Sequence, residues 1–228
     1  MSENPTPEGA ASARVLPRLA VRHVQLARAV LAAIAALMVT FSPDHSAPFG
    51  LGVFSGFAVA TAVVLGAAAW LAYSAGQRAP IVALAVVTLL AGMLGGVPAW
   101  RTTEMFFWIV ITWAVVAGAI ELVAGLRERR AAARALDPQR RSDSRDAIVV
   151  GAFTLLLGVG VAVVPARFSL DYFIDEAGQW FTLTGITVAV GIFGAYAAIV
   201  AVYLGIAAFS PRREAPAAES APTPGDSE

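Results

Sequence analysis

The chain contains no cysteine. That removes disulfides, thiolate metal sites and thiol nucleophiles together. It also contains no lysine, since each of its 16 basic residues is arginine. A P-loop lysine, a Schiff-base lysine and any other site that depends on a primary side-chain amine are therefore excluded. Histidine is scarce, with two in 228 residues, so a zinc site built from three imidazoles has no ligands to draw on. Charge is scarce as well. Asp, Glu and Arg make up 14% of the chain, where a soluble domain carries roughly 25%. The 16 acidic residues cancel the 16 basic ones, so only the placement of charge is informative.

What remains is apolar. Hydrophobic residues are 58% of the chain and the mean hydropathy is +0.71. Too few charges exist to coat a water-facing surface, so most of the surface must face lipid. A helical span needs roughly 20 apolar residues, and six segments qualify: residues 24–41, 49–73, 80–100, 103–126, 147–164 and 180–209. These runs are apolar all round rather than alternating, which selects helices over the strands of a barrel. The fold class expected is all-α, a polytopic membrane protein of six transmembrane helices. The sixth run is long enough to tilt or to project from the bilayer. His45-Ser46-Ala47 after the first run loosely resembles a signal cleavage site. That run is as long as its neighbours and follows a long leader, so it is read as a retained span.

Arginine placement orients the spans. Arg14, Arg18 and Arg22 precede the first, Arg78 separates the second and third, and seven arginines from Arg127 to Arg145 separate the fourth and fifth. Arg212 and Arg213 follow the sixth. With alternating spans all of these share one side, which is read as the cytoplasmic face of a bacterial cytoplasmic membrane holding both termini. The opposite loops hold only Arg101 and Arg167. Residues 1–13 and 210–228, rich in Pro, Ala, Glu and Ser, read as disordered tails. Arg14, Arg18, Arg22 and Gln25 recur at helical spacing, giving either a short basic surface helix or ordinary flanking charge. The arginine-rich loop has no aromatic or fold signature beside it that would make it a nucleic-acid site.

The chain also repeats itself. Thr88-Leu89-Leu90-Ala91-Gly92 runs on to Val97-Pro98, and Thr154-Leu155-Leu156-Leu157-Gly158 runs on to Val164-Pro165. The first span likewise closes on Pro43. Small residues open apolar runs in the even spans at Ser55-Gly56-Phe57, Ala117-Gly118-Ala119 and Thr184-Gly185-Ile186. Three repeated helical hairpins are the expected arrangement. That layout, with the stretch from Trp113 through Gly118 and Glu121-Leu122 to Arg127, resembles the HdeD-like family of small bacterial membrane proteins. The likeness in layout covers residues 25–209, and the likeness in sequence covers residues 113–165. It implies a link to acid-stress resistance, and it carries over no catalytic residue. The outer loop 166–180 has no counterpart in the resemblance.

Two groups of ionisable residues need an account. Arg28 and Glu121 lie inside apolar runs, where a charge costs about 2.5–3.5 kcal/mol on insertion scales. Glu121 precedes Arg127 by six residues, about 9 Å of helix, and Arg28 sits at similar depth in the first span. They are a candidate intramembrane ion pair, read either as a packing salt bridge or as a proton- or substrate-responsive carboxylate. Asp44, His45, Asp171, Asp175 and Glu176 form the second group, on the outer face. They read either as a pH-responsive or cation-holding cluster or as solvated loop charge.

No nucleophile elbow, metalloprotease helix or dinucleotide fingerprint is present, so no enzyme activity is expected and no cofactor or metal is called for. A transporter would want more polar groups at mid-membrane than Thr61, Thr88, Thr112, Thr154 and Thr187. The reading that asks least of the residues is a non-catalytic integral membrane protein in envelope or acid-stress response, or an assembly partner. A small transporter or channel is the alternative. Expected partners are the lipid bilayer and a second copy of the chain or another membrane protein, with no nucleic acid. Reporter fusions at Gly76, Ala135 and Ala217 should be cytoplasmic and those at Ser46 and Gly178 external. An external signal at Ala135 would overturn the orientation.

Overall fold

The computed structural model describes residues 21–73, 78–136, 138–176 and 178–210. The two tails, Arg14, Arg18, Arg212, Arg213, Gly76 and Asp137 lie outside the described residues. The helices are α1 (Val21–Phe41), α2 (Ala47–Leu71), α3 (Arg78–Gly96), α4 (Thr103–Arg134), α5 (Pro138–Ala162) and α6 (Gly185–Phe209). All six are long and apolar enough to cross a membrane. A single 3-10 turn, Pro98–Trp100, follows α3.

Local chemistry sets several of these ends. The Ser46 hydroxyl accepts from the Phe49 N–H at the start of α2, where Pro48 occupies the first turn. The Thr102 hydroxyl accepts from the Met105 N–H at the start of α4. Glu104 in that first turn and Arg134 in the last match the dipole of the helix. The third span ends at Gly96 rather than residue 100, because Pro98 cannot donate to a continuing helix. The fifth starts at Pro138, nine residues before the apolar run, and ends at Ala162. Between α4 and α5 the chain reverses through Leu136, an exposed residue at φ 54°.

The fold is all-α as expected, with one short hairpin that moves the start of the sixth span. Ser169–Ile174 and Gln179–Thr184 form an antiparallel two-stranded hairpin, β1 and β2, in the loop before α6. The sixth span therefore begins at Gly185 and not at residue 180. Hydropathy alone merged Trp180–Thr184 with the helix. Apart from Leu183 those residues are β-branched or aromatic, and the strands pair Tyr172 with Phe181 and Phe173 with Trp180. The turn closes through Gly178 at φ 62°, a left-handed conformation that glycine adopts without penalty.

Each helix packs on its neighbours in chain order, and α6 returns to α1, which closes the bundle. The most extensive contacts join α4 to α5, α1 to α6 and α2 to α3. The even helices α2, α4 and α6 also touch one another, so they line the axis while the odd helices lie outside them. The proposed cue of small residues in the even spans falls at different depths: Gly185 opens α6, whereas Gly56 and Gly118 lie well inside α2 and α4.

The side chains are distributed inside out relative to a water-soluble bundle. On α1 the buried face is Ala29, Ala32, Ala35, Ala36 and Val39, while Ile34, Leu37 and Phe41 point outward. Lipid rewards no burial of large apolar groups, so close backbone approach through small residues does the packing. The α4–α5 seam shows this most clearly. A Cβ added at Gly151 would lie 2.6 Å from the Leu122 nitrogen, and one at Gly118 would lie 2.9 Å from the Leu155 nitrogen. At Gly151 all three nearest atoms are backbone, which cannot yield as a side-chain end could. Among the tryptophans, Trp113 enters the core while Trp108 faces outward. Trp70 lies near the Arg78 guanidinium, 5.1 Å from ring centre to charge.

Gly151→Ala should force α4 and α5 apart and cost about 1–3 kcal/mol, the usual range for overpacking. Thermal unfolding in detergent reads this, and Gly191→Ala, where the added atom meets nothing within 4 Å, is the control. Equal melting temperatures for the two variants would contradict the seam.

Candidate functional site

Two helical positions bring opposite charges together in the interior. Arg28 comes from the first turns of α1, Glu121 from the middle of α4, and the two helices sit opposite one another around the closed bundle. The Arg28 Nη1 donates to Glu121 Oε1 at 2.8 Å, with side-chain exposures of 17% and 8%. The pair thus runs across the bundle rather than along one of its seams. Both residues lie on the side of the bundle where α1, α3 and α5 begin, here termed the arginine end; the other is the hairpin end.

Above and below the ion pair lies a column of hydrogen bonds. Toward the arginine end Asp146 on α5 accepts from Gln25 Nε2 at 2.7 Å and from the Tyr203 hydroxyl at 3.0 Å. These bonds link α1, α5 and α6. Toward the hairpin end Thr154 donates to the Val150 carbonyl at 2.8 Å, which leaves the Tyr196 hydroxyl to donate to Thr154 at 2.9 Å. Trp113 Nε1 donates to the Thr88 hydroxyl at 3.2 Å. In each case a hydroxyl on an odd helix takes its partner from the next even helix. Thr61 on α2 is as deeply buried, yet its hydroxyl oxygen has no hydrogen-bond partner among the described residues.

Two cavities follow this column. The inner one, about 20 Å³, is bounded by Arg28, Thr61, Thr88, Glu121, Thr154 and Tyr196 among others. The outer one, about 70 Å³, reaches from the same ion pair past Gln25, Tyr73, Asp143 and Asp146 to Val21 at the arginine end. Arg28, Glu121, Leu65 and Leu84 border both. Beyond the inner cavity, toward the hairpin end, Leu51, Phe54, Phe106, Val110, Val190 and Phe193 are fully buried. Their rings interlock edge to face, Phe54 with both Trp113 and Phe193.

The outer-face group is not brought together in this way. Asp44 caps its own turn, its Oδ1 accepting from the Ser46 N–H at 2.8 Å. That bond to the backbone, with a second to the Ser46 side chain, holds the Asp44 carboxyl below the usual carboxylate range. It is moved away from the interval between pH 5 and 7 that a sensor would use, not into it. Asp171 on β1 accepts from the Thr182 hydroxyl across the hairpin at 2.6 Å. Asp175 and Glu176 sit in the turn, about 13 Å of extended strand away. Among the described residues no three acidic or histidine side chains converge on a point that could hold a metal ion. Of the group Asp44, His45, Asp171, Asp175 and Glu176, Asp44 thus serves a turn and Asp171 a strand pair.

Asp146, Gln25, Tyr196 and Tyr203 escaped the sequence reading. Asp146 falls between the arginine-rich loop and the apolar run that begins at residue 147, and Gln25 lies on a basic stripe that the structure turns inward. One signal was available. The buried positions Val161, Leu157, Thr154 and Val150 step back by three or four residues, and the next steps land on Asp146 or Ala147 and then Asp143. No protein-family model matches the chain, and neither the curated proteins nor the solved structures yield a match.

Arg28→Met or Glu121→Gln alone leaves one charged partner buried. Each should lower stability by about 3–5 kcal/mol, and the double substitution should recover part of the loss. Unfolding in detergent across the four-protein cycle measures the coupling. Strictly additive losses would mean that the two side chains do not support one another.

Proposed function

We propose that this chain is a non-catalytic integral membrane protein of a bacterial cytoplasmic membrane. It acts in envelope or acid-stress response, or as an assembly partner of another membrane protein or of a second copy. The observation that carries this reading is that most polar groups of the core are paired with one another, the Thr61 hydroxyl excepted. Arg28 is matched by Glu121, Asp146 by Gln25 and Tyr203, and Thr154 by Tyr196. Groups engaged in holding helices together are not poised to attack a substrate, and an inner cavity of about 20 Å³ has no room for one. The likeness to the HdeD-like family supports the stress reading, and the arginine-rich end supports cytoplasmic termini.

The three-hairpin repeat belongs to the same proposal. Gly92 meets Val59 on α2 as Gly158 meets Val115 on α4, and the threonine four residues earlier takes an aromatic donor in both cases. These matched roles favour two copies of one unit.

A second reading, a small transporter or channel, is favoured by one observation. The polar column and its cavities lie on the axis and reach one end of the bundle. Two measurements separate the readings. Deletion of the gene should reduce survival at about pH 4, within the carboxylate titration range, while purified protein in liposomes should pass neither protons nor small ions above the protein-free rate. Flux above that rate would replace the first reading with the second. Unimpaired survival without flux would leave only the assembly role, tested by co-purification from crosslinked membranes.

A further inference from the structure

Thr61 occupies the tenth position before Leu71, about 15 Å from the arginine end of α2 and close to its middle. It is 5% exposed. Its counterparts Thr88 and Thr154 both have partners, and Thr154 shows the usual membrane solution, donation to the carbonyl four residues back. The Thr61 hydroxyl has no such bond. A buried hydroxyl without a partner costs about 1–3 kcal/mol, so the chain gains by supplying one from elsewhere.

The surroundings say what that partner is. The cavity that Thr61 borders, about 20 Å³, takes about one water molecule, which needs two to four polar contacts. Arg28, Glu121, Thr88, Thr154 and Tyr196 border the same space, and each carries a polar atom. An apolar ligand would waste these groups, and anything larger than water would not enter. On the arginine side the outer cavity continues the path, with Gln25, Tyr73, Asp143 and Asp146 along it. On the other side the fully buried rings of Phe54, Phe106 and Phe193 close it.

We propose that the axis of the bundle is a one-sided water path, entering at the arginine end, passing the Arg28–Glu121 pair and ending on a water molecule held by Thr61. The pair forms the neck of the path together with Leu65 and Leu84, since these four residues border both cavities. Beyond Thr61 the aromatic layer is dry. The inference holds under either functional reading, because it concerns where water reaches and not what is moved.

The absence of cysteine makes the test direct. Thr61→Cys introduces the sole thiol of the chain, and a silver ion is small enough to follow water. Silver nitrate is applied to one face of vesicles containing the variant. The chain is then unfolded in detergent, and surviving thiols are counted with a fluorescent maleimide. Ala58→Cys, one turn toward the hairpin end and fully buried, marks the dry core. Ser46→Cys and Ala135→Cys, treated with an impermeant maleimide, report which end faces the medium. Thr61→Cys should be silenced at least about tenfold faster from the arginine end than from the other, and faster than Ala58→Cys by a similar factor, as expected for a hydrated against a protected site. Equal rates for the two thiols, or faster reaction from the hairpin end, would overturn the path. Should Thr61→Cys fail to fold, Thr61→Val decides. Losing a hydroxyl that holds water should lower the melting temperature, whereas an unchanged or raised value would mean a dry chamber.

Discussion

A charge inside a bilayer must be answered by another charge at the same depth, and in this bundle the answer comes from across the axis. Arg28 and Glu121 belong to helices that are not neighbours in the packing, so their contact fixes the bundle's width as well as its charge balance. Polar side chains along the axis then find partners because the helices are already held at that spacing. Asp146 reaches Gln25 and Tyr203 on one side of the pair, and Thr154 reaches Tyr196 on the other. In a soluble protein such a column would compete with hydrophobic burial. Here the apolar surface has no water to escape from, and polar satisfaction and close packing carry the fold.

Close packing is the complementary constraint. Gly118, Gly125 and Gly151 bring the backbones of α4 and α5 together, and an added methyl at any of them would strike backbone nitrogen. The alanines of α1 serve the same end against α6, where Gly194 receives Val39. Large residues are spent on the lipid-facing side, where their bulk is harmless. Some large residues are nevertheless buried, among them Phe54, Phe106 and Phe193, which fill the axis toward the hairpin end.

Much of this architecture was legible in the sequence because span length and helical rise are fixed by physics. Six apolar runs gave six helices, and counting residues from Arg127 placed Glu121 level with Arg28. What escaped was of two kinds. Trp180–Thr184 is as apolar as a helix start, so hydropathy could not separate β2 from α6; strand pairing with residues 169–174 did. Asp143 and Asp146 looked like loop charge because helix α5 begins well before its apolar run, and only the three-and-four periodicity of its buried face points them inward. The outer acids were grouped by nearness in sequence, whereas an extended strand carries Asp171 and Asp175 apart as fast as a chain can.

The junction between β2 and α6 has a mechanical consequence. Thr184 is at once the last residue of the strand and the N-cap of the helix, and the Gly185 N–H is tied back to the Phe168 carbonyl at 2.8 Å. No residue separates the two elements, so the hairpin continues directly into α6. Any displacement of its exposed aromatic face would bear directly on the helix that carries Tyr196 and Tyr203, the two hydroxyls bonded on either side of the ion pair.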